Sequence, residues 1–194
     1  MPMRSAALAA LFATSLATSA AAAPLELILD RPGGAATGFD VLPQLQGASF
    51  GFGALVAPAG ATVTYTYLGS EAGWSNLFGT VGRSFSEHST PGGTLVQRVD
   101  EATLLRFGFG TAEGPNPPAT INGRPQAQFA IFGDGSQPVV TPYGSFQYVL
   151  GFDDGRADGD YDDLVVGVSA VPEPATWALL LLGLGACLLR TRKR

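Results

Sequence analysis

Glycine and proline cut this chain so often that no helix of ordinary length fits through its middle. The 194 residues hold 26 Gly and 14 Pro, and between these breakers no long stretch carries apolar residues at helical spacing. What survives is a set of short runs rich in β-branched and aromatic residues, the pattern of strands separated by turns. LELILD (Leu25–Asp30) reads as a first strand ended by RPGG, and ASFGFGALV (Ala48–Val56) and ATVTYTYLG (Ala61–Gly69) follow, separated by APAG. In Ala61–Gly69, Val63, Tyr65 and Tyr67 alternate with Thr62, Thr64 and Thr66, a period of two that puts each set on its own face.

Further along, GTLVQRV (Gly93–Val99) and ATLLRFGFGT (Ala102–Thr111) form a candidate pair. AQFAIFGD (Ala127–Asp134), GSFQYVLGFDD (Gly144–Asp154) and DLVVGVSA (Asp163–Ala170) complete the set. Roughly eight strands with Gly, Pro, Asn and Asp turns predict an all-β sandwich of jelly-roll type over residues 25–170. EGPNPPATINGRP (Glu113–Pro125) is expected as a surface loop, because proline cannot donate to a ladder.

The two ends follow different rules. MPMRSAALAALFATSLATSAAAAP opens the chain with Arg4, an apolar Ala/Leu/Phe stretch and a run of small residues, the grammar of a secretory signal peptide. Pro24 disfavours a cut just before it, so residues 1–22 are expected to form the signal, with cleavage between Ala20 and Ala22. At the other end, Ala175 to Leu189 holds 15 residues without charge, short against the ~20 needed to span a bilayer comfortably. Trp177 near its start suits an interface, and the basic cluster Arg190, Arg192, Lys193 and Arg194 suits the cytoplasmic side. This is the pattern of a marginal transmembrane helix with its N-terminal flank outside.

Between these ends, Leu25 to Val171 carries six arginines and no lysine against fifteen acids, a formal charge of −9. Such a body repels nucleic acid and anionic lipid and draws divalent cations as counterions. The only cysteine, Cys187, lies in the C-terminal apolar run. The body therefore has no disulfide, thiolate metal site or cysteine nucleophile.

The densest chemistry is GFDDGRADGDYDDLVVGV, Gly151 to Val168. Asp153, Asp154, Asp158, Asp160, Asp162 and Asp163 crowd eleven positions, with Arg156 alone to offset them. Ca²⁺ takes six to eight oxygen ligands and suits such a loop. Asp158, Asp160 and Asp162 have the spacing that opens an EF-hand, but its sixth position holds Asp163 and its twelfth Ser169, which excludes that motif. Two readings stay open: a calcium loop of another type between two strands, or an acidic hairpin connection whose charges water handles.

A second candidate is YLGSEAGWSNLFG, Tyr67 to Gly79, where Glu71 and Asn76 flank Trp74 after a strong strand. Trp74 offers a flat face for a sugar, with Glu71 and Asn76 as hydrogen-bonding groups; alternatively it caps the core. His88, the only histidine, follows Ser86 and Glu87, but neighbours on a strand point to opposite faces, and a surface position is expected. No nucleophile elbow or phosphate-binding loop occurs, and Glu71, Glu87, Glu101 and Glu113 form no recognisable catalytic pair. A non-enzymatic protein is the expectation, with an exported hydrolase as the least supported alternative.

The order Pro-Glu-Pro, apolar segment, basic cluster in VPEPATWALLLLGLGACLLRTRKR, Val171 to Arg194, resembles the PEP-CTERM sorting signal of Gram-negative bacteria and covers about an eighth of the chain. The resemblance implies a transient inner-membrane anchor, then processing near Pro172–Pro174 by an exosortase, with Pro172, Glu173 and Pro174 as the recognised element. It also implies a destination at the cell surface or in an extracellular matrix linked to exopolysaccharide and biofilm. A second resemblance covers Phe152 to Val168: FDDGRADGDYDDLVV is similar to a strand-loop-strand motif of secreted bacterial β-sandwich domains. It matches at Phe152, Asp154, Asp158, Asp160, Tyr161, Asp163, Leu164 and Val165, and implies an all-β body in which calcium has a place.

Overall fold

A computed structural model describes residues 24–111, 119–124, 129–154 and 160–172. The expected signal peptide, Asp158, Glu173, Pro174, the apolar run and the basic cluster Arg190, Arg192, Lys193 and Arg194 lie outside the described residues. The described strands are β1 (Glu26–Ala35), β2 (Ser49–Ala57), β3 (Ala61–Gly69), β4 (Asn76–Thr80), β5 (Arg83–Ser86), β6 (Thr94–Val99) and β7 (Thr103–Leu104). They continue with β8 (Phe107–Thr111), β9 (Ala119–Ile121), β10 (Phe129–Phe132), β11 (Val139–Thr141), β12 (Gly144–Phe146), β13 (Tyr148–Phe152) and β14 (Leu164–Pro172). One 3-10 turn, Pro43–Leu45, interrupts the all-β pattern. Among the described residues no helix is long and apolar enough to cross a membrane.

The larger sheet runs β1-β2-β10-β13-β14-β3-β6, with β7 added beside β2; the smaller runs β5-β4-β8-β9, and β11 and β12 form a separate hairpin. Aromatic rings join the two sheets. Tyr65 of β3 meets Phe78 of β4 with ring centres 5.2 Å apart, Phe107 of β8 meets Phe129 of β10 at 5.3 Å, and Phe109 stacks on Phe152 at 5.3 Å. The arrangement is β-sandwich-like, with an interior filled by large rings at the offset and edge-on geometries that aromatic quadrupoles favour.

Burial follows from position. In β3, Val63, Tyr65 and Tyr67 face the inter-sheet core, as their alternation with threonine predicts. The central strands β10, β13 and β14 are apolar at nearly every position because both their faces are covered. Phe129, Ile131, Leu150, Phe152, Val166 and Val168 face the smaller sheet. Ala130, Phe132, Val149 and Val165 face the other way, onto a second cluster with Ala36, Phe39, Leu42 and Leu45 from the β1–β2 connection.

Four expectations need correction. β1 does not stop at Asp30 but continues through Pro32 to Ala35, with register shifts at Leu29/Arg31 and Pro32/Ala35; it is an edge strand, where a missing N–H is tolerated. Ala102–Thr111 is not one strand: β7 joins the larger sheet and β8 the smaller. The expected pairing of this stretch with Gly93–Val99 does not form, since β6 pairs with β3. Where the chain crosses between sheets, buried Asn122 accepts from the Leu55 N–H at 2.9 Å and donates to the carbonyls of Leu55 at 2.9 Å and Leu105 at 2.8 Å. It thereby satisfies backbone groups the strand break leaves open. Asn122 and β9 also put ordered structure inside the stretch expected as a loop.

Phe78 has no exposed surface and touches the rings of Tyr65, Phe85, Phe107 and Phe109. Phe78→Ala is predicted to lower the unfolding free energy by about 3–5 kcal/mol. Leu77→Ala, one position along and largely exposed, should stay within about 0.5 kcal/mol. Urea midpoints of the two variants check the difference.

Candidate functional site

β13 and β14 pair as far as Phe152 opposite Leu164, and the acidic segment joins them at one end of the sandwich. Asp153 and Asp154 stand at the exit from β13, and Asp160, Asp162 and Asp163 at the entry to β14. Water does not handle this charge in the manner of an open hairpin. Asp154, Asp160, Asp162 and Asp163 are all buried, Asp162 completely. A buried carboxylate must be hydrogen-bonded, paired or bound to a cation to repay its lost hydration.

Part of that compensation comes from loops distant in sequence. Asp162 Oδ2 accepts from the N–H of Asp40 at 2.5 Å and of Val41 at 3.0 Å, both in the β1–β2 connection. Asp163 Oδ2 accepts from the Asp154 N–H at 2.6 Å. From the start of β4, the Asn76 amide donates to Asp154 Oδ2 at 3.2 Å. The Glu71 N–H donates to the Asp162 carbonyl at 3.3 Å, and the Ser70 hydroxyl donates to the Asp163 carbonyl. Three segments thus converge: the β1–β2 connection, the β3–β4 loop and the roots of β13 and β14.

Tyr161, between two of the acids, has φ of 63°. Left-handed backbone at a bulky residue costs about 1–2 kcal/mol. Its ring is held against Phe50 at 5.1 Å and Phe52 at 5.7 Å, and Gly151 lets its backbone lie directly on β13, where a Cβ would strike the Tyr161 carbonyl. Burial, and then the Asp153 charge, push the Tyr161 phenol above its ordinary pKa, while Arg31 pulls the other way.

The acids form two triads, Glu71 with Asp160 and Asp162, and Asp153 with Asp154 and Asp163. In each triad the three contributed carboxylate oxygens lie within 4.8 Å of one another. The donor set is all oxygen, the choice of a hard cation. Buried oxygens also remain without a hydrogen-bond partner: Oδ1 of Asn76, of Asp154 and of Asp162. A hard cation fits these groups.

The sugar-binding expectation changes at Asn76. Its side chain is fully buried and turned to Asp154, so it offers nothing to a surface ligand; Glu71 remains exposed and Trp74 half-buried. Sequence reading had grouped Glu71 and Asn76 with Trp74, whereas the fold brings them to the acids. The link between Asn76 and Asp154 spans 78 positions, and no local pattern announces it. His88 is exposed and paired with Glu87 at 3.4 Å. Of the sorting residues, Pro172 is described: it closes β14 opposite Ala61.

No protein with a curated description matches the chain, and no solved structure does. A family match falls on residues 170–194, the PEP-CTERM protein-sorting motif. It begins inside β14 and covers Pro172, Glu173, Pro174, the apolar run and the basic cluster. The chain thus carries a PEP-CTERM protein-sorting motif at its C-terminal end, the mark of an exosortase-sorted extracellular protein.

Proposed function

We propose that the mature protein is a non-enzymatic component of the cell surface or extracellular matrix, delivered as a jelly-roll-like sandwich and associated with exopolysaccharide or biofilm. The observation that carries this reading is the junction between the domain and its address. β14 pairs with β3 from Val165 to Pro172, and the sorting motif starts at residue 170. Processing just beyond Pro172 would remove the membrane-directed part and leave every described strand intact. Strands distant in sequence lie side by side, β2 with β10 and β14 with β3, long-return connections that support the jelly-roll reading.

One observation favours a second role, binding an acidic matrix polysaccharide. A groove of about 620 Å³ is lined by Arg83, Arg98 and Arg106, with Gln97, Asp100 and Glu101 also on its wall. Half of the body's six arginines thus meet at one opening of an otherwise acidic domain. Guanidinium forks match sugar carboxylates.

Intact-mass measurement of the exported protein tests the first reading. The expected chain begins near residues 21–23 and ends near residues 172–174; a mature chain still ending at Arg194 overturns it. For the second, polygalacturonate should bind in a salt-sensitive manner, neutral dextran should not, and Arg83→Ala with Arg106→Ala should abolish binding. Polygalacturonate that fails to bind the unaltered protein removes that role.

A further inference from the structure

We infer that the acidic end of the sandwich is a calcium site that ties the β1–β2 connection and the β3–β4 loop to the root of β14. Its ligands come from the two carboxylate triads and the side-chain oxygen of Asn76. The inference is independent of where the protein is sorted.

Charge alone does not carry it, because acidic clusters are common on surfaces. Here the carboxylates are inside: Asp154 is 1% exposed and Asp162 0%. Each spends one oxygen on N–H donors and keeps Oδ1 without a partner. Asn76 supplies the independent observation. It is neutral and fully buried, its amide nitrogen is committed to Asp154, and its Oδ1 has no donor. A neutral acceptor left bare beside ionisable acceptors calls for a positive group, not for further hydrogen-bond acceptors.

Other occupants account for less. Water would donate to one or two of these oxygens but would leave the mutual repulsion of each triad in place. The donor set selects among cations: calcium takes six to eight oxygen ligands in flexible geometry, whereas magnesium demands a near-octahedral shell and keeps several of its waters. The donor set suits the weaker calcium class of extracellular modules, with Kd about 10⁻⁴–10⁻³ M.

The test uses the full chain, purified in detergent and stripped with EDTA, titrated with CaCl₂ and separately with MgCl₂ or with NaCl at equal ionic strength. Saturable calcium binding is expected, with Tm rising about 3–6 °C at tenfold excess over Kd and a smaller response to magnesium. Asp154→Asn and Asp162→Asn keep side-chain size and each address one triad; loss of binding in either places an ion there. Glu71→Gln alters an exposed side chain and should weaken calcium binding several-fold. Absence of saturable binding, or a calcium shift equal to that of matched NaCl, overturns the inference. So does calcium binding left unchanged in all three variants.

Discussion

A strand bonded to a neighbour along each edge and covered on both faces leaves almost no room for a polar side chain, and β14 is that strand. β13 and β3 flank it, Leu164, Val166 and Val168 fill one face and Val165 the other. Apart from Ser169, the polar side chains of this stretch lie past its ends. At one end stand the acids, at the other the sorting motif. The rest of the larger sheet is ordered outward from this line, so the packing of β14 governs both the fold and the position of its chemistry.

The contrast between two buried asparagines separates structure from site. Asn122 has its side-chain oxygen and both described donations satisfied by backbone at a strand break, and nothing is left over. Asn76, equally buried, completes one bond and keeps an oxygen bare. The first closes a gap in the sandwich. The second stands next to carboxylates with bare oxygens of their own, which is why the surplus polarity points to a ligand and not to architecture.

What could be read in advance depended on how local the cause was. β3 was legible to the residue because alternation of Tyr and Val with Thr is set within nine positions, and the apolar run of β14 announced a buried strand. The acids were legible as a group, but not their burial, since the donors from Asp40 and Val41 lie over 120 positions away. Glu71 and Asn76 were noticed for a different reason and regrouped by the fold. β1 ran through Pro32 because an edge strand needs no donor there, and edges are decided by topology. The short β4 and β5 were passed over among turn residues; their burial comes from Phe78 and Phe85 meeting rings from other strands.

The junction at Pro172 has a mechanical side. The chain leaves the domain from the middle of a sheet, so tension applied beyond Pro172 along the strand pulls lengthwise on β14. Its ladders to β3, from Val165 to Pro172, and to β13, from Leu164 to Val168, then resist in parallel, and their hydrogen bonds must give way together. Tension on an edge strand would peel its bonds away one at a time. A domain held at this point against flow would yield by shear across two ladders, with the acidic end at the far root of the same strand.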